Sequence, residues 1–310
     1  MQTKNGRTAI AALFLLSILL ALGAMRSDLF PASAANSMPP LEREALPFAI
    51  LTVAASVFAL IRKTKWPQAT LVRSSMAIGL GLFVAPAVLV SLSLNAVSAY
   101  TRVALFSLTP VFAVVFEPHL GGTEPQSRGG LLASLVAVAG ALSIFPVNLP
   151  GSIAAGVAFA ALIATAACVA AANCHAVRLA SNLSRSSIAP VVAIACASSA
   201  AGLVATSAIT QGLSLRSSAI ASEFLWSVFV TLPALLLLFW LMQRISAARM
   251  TTRFLLAPLF AILIGMALDR PSVSLRIWLG ILLMAAGAGW LLLAPGEAPD
   301  ADSSSLSLHS

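Results

Sequence analysis

The chain contains an internal duplication. Residues 106–145 align without a gap with residues 254–293, an offset of 148, and ten of these forty positions are identical. The most specific shared pattern is F-x-L-x-P-x-F-A, which contains Pro110 in the first segment and Pro258 in the second. Arg128 and Arg276 also correspond. Self-similarity over this length indicates a protein built from two related halves.

Long apolar segments place both halves in a membrane. Apolar residues make up 59% of the chain and charged residues only 9%. A transmembrane helix needs roughly 20 apolar residues to cross a hydrocarbon core about 30 Å thick, and continuous rather than alternating apolar runs favour helices over a β-barrel. The sequence therefore predicts an all-α integral membrane protein with ten transmembrane helices. They are expected at about residues 8–24, 45–61, 72–93, 96–117, 130–147, 153–173, 189–209, 223–242, 251–268 and 276–293.

The distribution of cationic residues predicts the orientation. With a cytoplasmic N-terminus, the cytoplasmic segments hold twelve Lys and Arg residues and the outside loops hold five. Because cytoplasmic loops are enriched in Lys and Arg, both termini are expected in the cytoplasm. The expected location is the cytoplasmic (inner) membrane of a prokaryote. We interpret the net charge of +8 as a topology signal. No binding to nucleic acid is predicted, since the basic residues are scattered and form no stripe.

Five spans lie in each copy, so the second copy must cross the membrane in the opposite sense. The sequence predicts two inverted five-helix repeats, residues 1–149 and 150–295, followed by a disordered cytoplasmic tail, 296–310. A small-residue motif at Ala32–Ala34 leaves open a cleaved signal peptide. Such cleavage would remove one helix and break the five-plus-five symmetry.

Prolines inside the predicted spans are the first candidates for functional positions. They form two pairs related by the repeat: Pro86 with Pro233, and Pro110 with Pro258. Each proline removes one helical hydrogen bond and clashes with the preceding turn. The prolines either shape the fold as packed kinks or free backbone carbonyls that face a cavity and contact a substrate. The candidate residues at these carbonyls are Phe106, Ser107, Phe254 and Leu255.

Three ionisable residues near the spans are further candidates. Arg102 lies eight residues before Pro110, roughly 10 Å inside its span. It either contacts an anionic group of a substrate or extends to the outer headgroups from a helix that begins later. Glu117, at the cytoplasmic end of that helix, is either a gating or proton-coupling group or an interfacial helix end. Glu223 opens the eighth span, where it either meets the helix dipole or belongs to an outer gate.

Two stretches near the end of the chain, Ile245–Gly265 and Arg276–Gly287, resemble the closing part of an EamA domain, and Ser107–Ala113 resembles the same part of the first copy. EamA domains are the repeat unit of the drug/metabolite transporter superfamily. The resemblance implies a ten-helix, five-plus-five inverted architecture and secondary transport, most often export, of a small organic metabolite or drug-like compound. Two family features are weak or missing: Glu124 is the sole counterpart of the usual Gly-Glu pair, and the tryptophan-glycine signature of the first helix is absent.

Several other function classes lack their sequence signatures. The chain contains no nucleotide-binding loop, no His and carboxylate cluster and no nucleophile–base arrangement, which argues against an ATP-driven pump or a membrane hydrolase. The three cysteines show no ligand spacing. We therefore expect no enzyme activity, no cofactor and no metal. The expected partners are a small-molecule substrate and the lipid bilayer, with a homodimer left open. The alternative is a non-transporting membrane protein on the same scaffold: a sensor, an assembly partner or an integral membrane enzyme.

Overall fold

The computed structural model describes residues 2–26, 38–120, 128–183, 187–213, 217–269 and 274–293. Within these ranges the regular structure is entirely helical, as the continuous apolar runs predict. The motif at Ala32–Ala34, Glu124 and the C-terminal tail lie outside the described residues.

Helices follow one another along the whole described chain. The first half contains α1 (Gln2–Ala24), α2 (Pro40–Ile61), α3 (Ala69–Gly79), a first π-helix (Leu80–Val84), α4 (Ala85–Ser93), α5 (Ala99–Phe106), α6 (Thr109–Phe116) and α7 (Arg128–Ile144). The second half contains α8 (Ile153–Asn182), α9 (Ile188–Thr210), α10 (Ser217–Trp226), a second π-helix (Ser227–Thr231), α11 (Leu232–Leu241), α12 (Ala247–Thr251), α13 (Arg253–Asp269) and α14 (Leu275–Leu293).

Nine helical segments of the described chain are long and apolar enough to cross a membrane. Some of them consist of consecutive short helices, as in Ala69–Ser93, which joins α3, the first π-helix and α4. The remaining predicted span, residues 130–147, corresponds to α7, whose 17 residues rise about 26 Å, slightly less than the hydrocarbon core of about 30 Å. The chain is therefore a multi-pass α-helical membrane protein.

Each π-helix ends two residues before a proline. The first ends at Val84, ahead of Pro86, and the second ends at Thr231, ahead of Pro233. A proline ring clashes with the preceding helical turn and donates no backbone hydrogen bond. A π turn is wider than an α turn and contains an extra residue, so it gives the ring room without breaking the helix. The same local distortion thus precedes Pro86 and Pro233.

Glycines bring α7 and α14 into close contact. A Cβ added to Gly140 would lie 2.5 Å from the backbone nitrogen of Met284, and one added to Gly287 would lie 2.5 Å from that of Ala137. Only a residue without a side chain fits such approaches. In lipid, where no hydrophobic drive joins helices, close backbone packing of this kind supplies much of the attraction.

Candidate functional site

Two cavities lie along one crevice formed by α1, α2 and the continuous helix of α10, the second π-helix and α11. The first, here called the Arg26-side cavity, has a volume of about 340 Å³ and lies where α1 ends and α2 begins. The second, the Arg244-side cavity, has a volume of about 1110 Å³ and lies at the opposite ends of these helices, where α9 also contributes to its wall.

Charged groups line the Arg26-side cavity. The Arg26 guanidinium donates a hydrogen bond to the Glu223 carboxylate, forming a buried ion pair. Arg26 also lies over the ring of Trp226, 5.2 Å from its centroid, an arrangement that adds a cation–π attraction. Arg43 and Glu44, from the beginning of α2, contribute a further cation and carboxylate to the wall. The pair joins the end of α1 to α10 across 197 residues of sequence.

Part of the same cavity wall is the second π-helix. Its residues Ser227, Val230 and Thr231 line the cavity, whereas the neighbouring Phe229 is 71% exposed on the outer surface. π-Helical turns recur at functional sites because the extra residue redirects side chains and backbone. Here the distortion at Pro233 therefore shapes the wall of a cavity.

The Arg244-side cavity has a different chemistry. Its wall is formed mostly by Ala, Leu, Ile, Val, Phe and Pro side chains. Polar groups are concentrated at one end, where Gln243 and Arg244 follow α11 and Thr8 lies on α1. The Arg244 guanidinium lies over Trp240, 5.0 Å from the ring centroid.

On α1 and α2 about one helical turn separates the residues that line the two cavities, whereas on α11 the two linings adjoin. On α1 the walls are separated by the step from Leu15 to Leu19, and on α11 Pro233 lines one cavity while its neighbour Ala234 lines the other. Between the lining residues along these helices come Leu16, Phe48 and Leu235, which are buried in one hydrophobic cluster. Buried apolar side chains therefore lie on the same helices between the two linings. Phe48 also packs on Phe83 of the first π-helix, with ring centroids 4.7 Å apart.

Glu117 lies in a separate buried site between the two halves. Its carboxylate oxygens accept hydrogen bonds from the backbone nitrogens of Ala247 at 3.1 Å and Ala248 at 3.0 Å. Backbone N–H groups at the start of a helix have no intrahelical partners, and the positive end of the helix dipole favours a carboxylate there. Glu117 thus fastens the end of α6 to the start of α12.

A buried arginine that the sequence did not single out lies nearby in the second half. Sequence reasoning counted Arg253 among the charges of the cytoplasmic segments, whereas the structure buries it at the start of α13. Its guanidinium donates to the Asn173 side-chain oxygen at 3.0 Å and to the Met250 carbonyl at 3.0 Å. It also lies 4.6 Å from the ring centroid of Phe254. Sequence reasoning missed Arg253 because it lies at the edge of an apolar run.

Arg102 is half-buried near the beginning of α5 and lies outside the lining of both cavities. Helix α5 begins at Ala99 rather than at residue 96, so Arg102 is only three residues from the helix start. Its guanidinium donates to the carbonyls of Val97 at 2.6 Å and Leu94 at 3.4 Å. It therefore satisfies loop carbonyls at the end of the bundle, and a substrate contact stays a prediction.

The predicted proline sites have different surroundings. Pro233 lines the Arg244-side cavity. Pro110 is buried in the first turn of α6, next to a break in the helix at Ser107 and Leu108, whereas Pro258 remains inside the continuous α13. Pro86 is half-buried after the first π-helix. Of the four, Pro233 is thus the one placed at the crevice.

One of the two interpretations of Pro110 has its freed backbone carbonyls facing a cavity. In the structure the Phe106 carbonyl accepts a hydrogen bond from the Thr109 hydroxyl at 2.7 Å, and the Ser107 hydroxyl donates to the Ala104 carbonyl at 2.6 Å. The rings of Phe106 and Phe254, which correspond in the repeat, stack with centroids 6.4 Å apart. The two proline helices therefore meet in the interior through equivalent residues.

Within the described part of the chain, no group of three or more His, Cys, Asp or Glu side chains is arranged to hold a metal ion. The residues that line the crevice supply one ion pair, exposed charges, aromatic faces and an apolar wall. These groups suit a ligand held by non-covalent contacts.

Comparison with known proteins supports the fold. No protein-family model matches the sequence, and no curated protein matches it. Seventeen solved chains are similar in structure. One of them, the crystal structure of a protein, matches with a TM-score of 0.72 and 20% sequence identity over 93% of this chain and 99% of that chain. At this identity the similarity establishes a shared fold and nothing about activity.

Proposed function

We propose that this protein is a secondary transporter that moves a small organic molecule by alternating access. The observation that carries the proposal is the pair of cavities toward opposite ends of the same helices, with buried apolar residues of these helices between the two linings. A carrier must expose one binding region first to one side and then to the other. Two cavities with apolar side chains between them are the arrangement expected in such a cycle.

The proposed architecture is ten spans in two inverted five-helix repeats, 1–149 and 150–295. Three paired features support it. π-Helices precede Pro86 and Pro233, Ser98 and Ser246 cap α5 and α12 at the same repeat position, and the rings of Phe106 and Phe254 stack. Local distortions of this kind recur in both copies of a duplicated fold because both inherit the same sequence constraints.

The proposed orientation is that predicted by the positive-inside rule, with both termini in the cytoplasm of a prokaryote. The Arg26-side cavity then faces the outside, and the Arg244-side cavity faces the cytoplasm. The larger cytoplasmic cavity would correspond to a state near the inward-facing end of the cycle. The Arg26–Glu223 pair would hold the outer end closed in this state, because it ties α1 to α10 at the Arg26-side cavity.

Export of a metabolite or drug-like compound is the direction and substrate class that the EamA resemblance favours. The alternative is a sensor, assembly partner or integral membrane enzyme on the same scaffold. A catalytic role would need clustered acid, base or metal ligands near the crevice. At the crevice Arg26 and Glu223 form an ion pair instead, an arrangement that favours a transport function.

Transport can be tested with two neighbouring substitutions on the second π-helix. Cells that produce the protein should release a subset of metabolites faster than cells with an empty vector. Val230→Trp, which fills the Arg26-side cavity, should abolish this release at an unchanged protein level. Phe229→Trp is the matched control because Phe229 faces outward, and it should preserve release. Equal behaviour of the two variants, or no accelerated release by the unmodified protein, would contradict the proposal.

A further inference from the structure

The Arg244-side cavity has an apolar wall and one polar end, an arrangement that matches an amphiphilic molecule. Its interior contains apolar side chains such as Leu15, Ala54 and Leu236, and its polar residues are gathered at the end where Arg244 lies. Arg244 is exposed and is stacked on Trp240. Tryptophan and arginine together are typical of the membrane interface, where an aromatic ring and a cation meet lipid headgroups.

The depth of this cavity fits within one leaflet of a bilayer. On α1 the lining extends from Thr8 to Leu15, and on α2 from Leu51 to Phe58. Each stretch corresponds to a rise of about 10 Å, at 1.5 Å per residue. Half of a hydrocarbon core of about 30 Å is roughly 15 Å. A molecule with its charged end at Arg244 would therefore reach into the hydrocarbon layer without crossing the midplane.

The charge of the cavity lining determines whether the polar group of a bound ligand is an anion or a cation. The residues known to line this cavity include Arg244 and no Asp or Glu. No carboxylate among the described residues forms a salt bridge with Arg244. An exposed guanidinium without a salt-bridge partner among the described residues attracts an anion and repels an ammonium group.

We propose that the Arg244-side cavity binds a single-chain amphiphilic anion, with its apolar chain between α1, α2 and α11 and its carboxylate, sulfate or phosphate group at Arg244. As a statement about the substrate, this inference rests on the proposed function, because a transporter loading from the cytoplasm would take its cargo here. As a statement about binding, it rests on the cavity alone.

A single-chain molecule fits better than a bilayer phospholipid because the Arg244-side cavity adjoins the Arg26-side cavity. Pro233 lines its inner end, and the adjacent Ala234 already lines the Arg26-side cavity. The site is thus one end of a crevice that continues toward the other side of the membrane. A molecule that occupies it as cargo must be able to leave the lipid layer, which one chain permits more readily than two.

Photolabelling of the purified protein in phosphatidylcholine nanodiscs tests the site without requiring transport. The probe is dodecanoate with a diazirine near the chain end, and the labelled residues are located by mass spectrometry. We expect labelling of the cavity wall around Ala54 and Leu236, displaced by dodecyl sulfate and not by dodecyltrimethylammonium. Arg244→Gln should weaken labelling roughly tenfold or more, as expected for a lost charge-assisted contact. Ala54→Trp, which fills the cavity, should weaken it similarly.

The matched control is Arg178→Gln, which removes an exposed arginine outside this lining and should leave labelling unchanged. Labelling spread evenly over outward-facing residues such as Val53 and Phe229 would overturn the proposal, as would equal labelling of Arg244→Gln. Displacement by phosphatidylglycerol but not by free dodecanoate would assign the site to a phospholipid and would also overturn it. If the protein were labelled specifically but released no metabolite, the proposed transport function would be refuted and the proposed binding site would stand.

Discussion

Replacing Gly287 with alanine should destabilise the protein by about 2–3 kcal/mol, the upper range for overpacking a tightly packed interior. The added methyl group would lie 2.5 Å from the backbone nitrogen of Ala137 and 2.6 Å from the carbonyl oxygen of Ala133. Neither atom can move without moving α7, so the two helices must separate. Separation would also loosen the contact at Gly140, because it joins the same pair of helices.

Gly289→Ala is the control for this prediction. Gly289 lies on the same helix, and an added Cβ would meet nothing within 4 Å. Because alanine favours the helix over glycine by up to about 1 kcal/mol, this change should be neutral or slightly stabilising. Unfolding in mixed detergent–SDS micelles measures both variants. Equal stability of Gly287→Ala and Gly289→Ala would show that α7 and α14 are not in close backbone contact.

Glu223→Gln should lower the free energy of unfolding by about 2–3 kcal/mol, since removal of one partner leaves the other charge buried and without its ion pair. The usual penalty for a fully buried pair is larger, about 3–5 kcal/mol. We expect less here because the pair borders a cavity that water can enter. Exchange of the charges, Arg26→Glu with Glu223→Arg, should recover most of the loss.

Glu44→Gln supplies the matched comparison for Glu223→Gln. Glu44 lines the same cavity, is exposed and forms no salt bridge with Arg26. The same acid-to-amide change there should have a much smaller effect on unfolding. If both substitutions were equally mild, and the charge exchange restored nothing, the pair would not fasten α1 to α10.

Much of the helical architecture follows from the sequence because a bilayer leaves few choices. Apolar runs of about 20 residues must be helical in lipid, where every backbone polar group needs a partner. The predicted α1, α2 and α9 accordingly lie close to their expected positions, and the all-α membrane fold is confirmed. Pro86, Pro110 and Pro233 each mark a helix distortion, whereas Pro258 lies in a continuous helix. The π-helical form of the distortions before Pro86 and Pro233 does not follow from the sequence, since it depends on how neighbouring helices accommodate the ring.

The candidate site was less predictable because it depends on long-range pairing. The sequence predicts Glu223 either as a partner of the helix dipole or as part of an outer gate. Its partner Arg26 lies 197 residues away, and only the packing of α1 against the second π-helix and α11 brings them together. The position of Arg102 inside an apolar run makes it a candidate for substrate contact or for extension to the outer headgroups. Because α5 begins slightly later than predicted, Arg102 lies toward the end of the bundle. Arg253, at the edge of another apolar run, is instead buried against Asn173.

Alternating access of the two cavities is the central claim, and cysteine accessibility tests it most directly. In a chain with Cys168, Cys174 and Cys196 replaced by alanine, Thr231→Cys reports on the Arg26-side cavity and Leu237→Cys on the Arg244-side cavity. A membrane-impermeant maleimide should label the first from outside and the second from the cytoplasm. Adding Glu223→Gln, which releases the outer end, should speed labelling at 231 and slow it at 237. Labelling of both from one side, or rates that change in the same direction, would contradict the account.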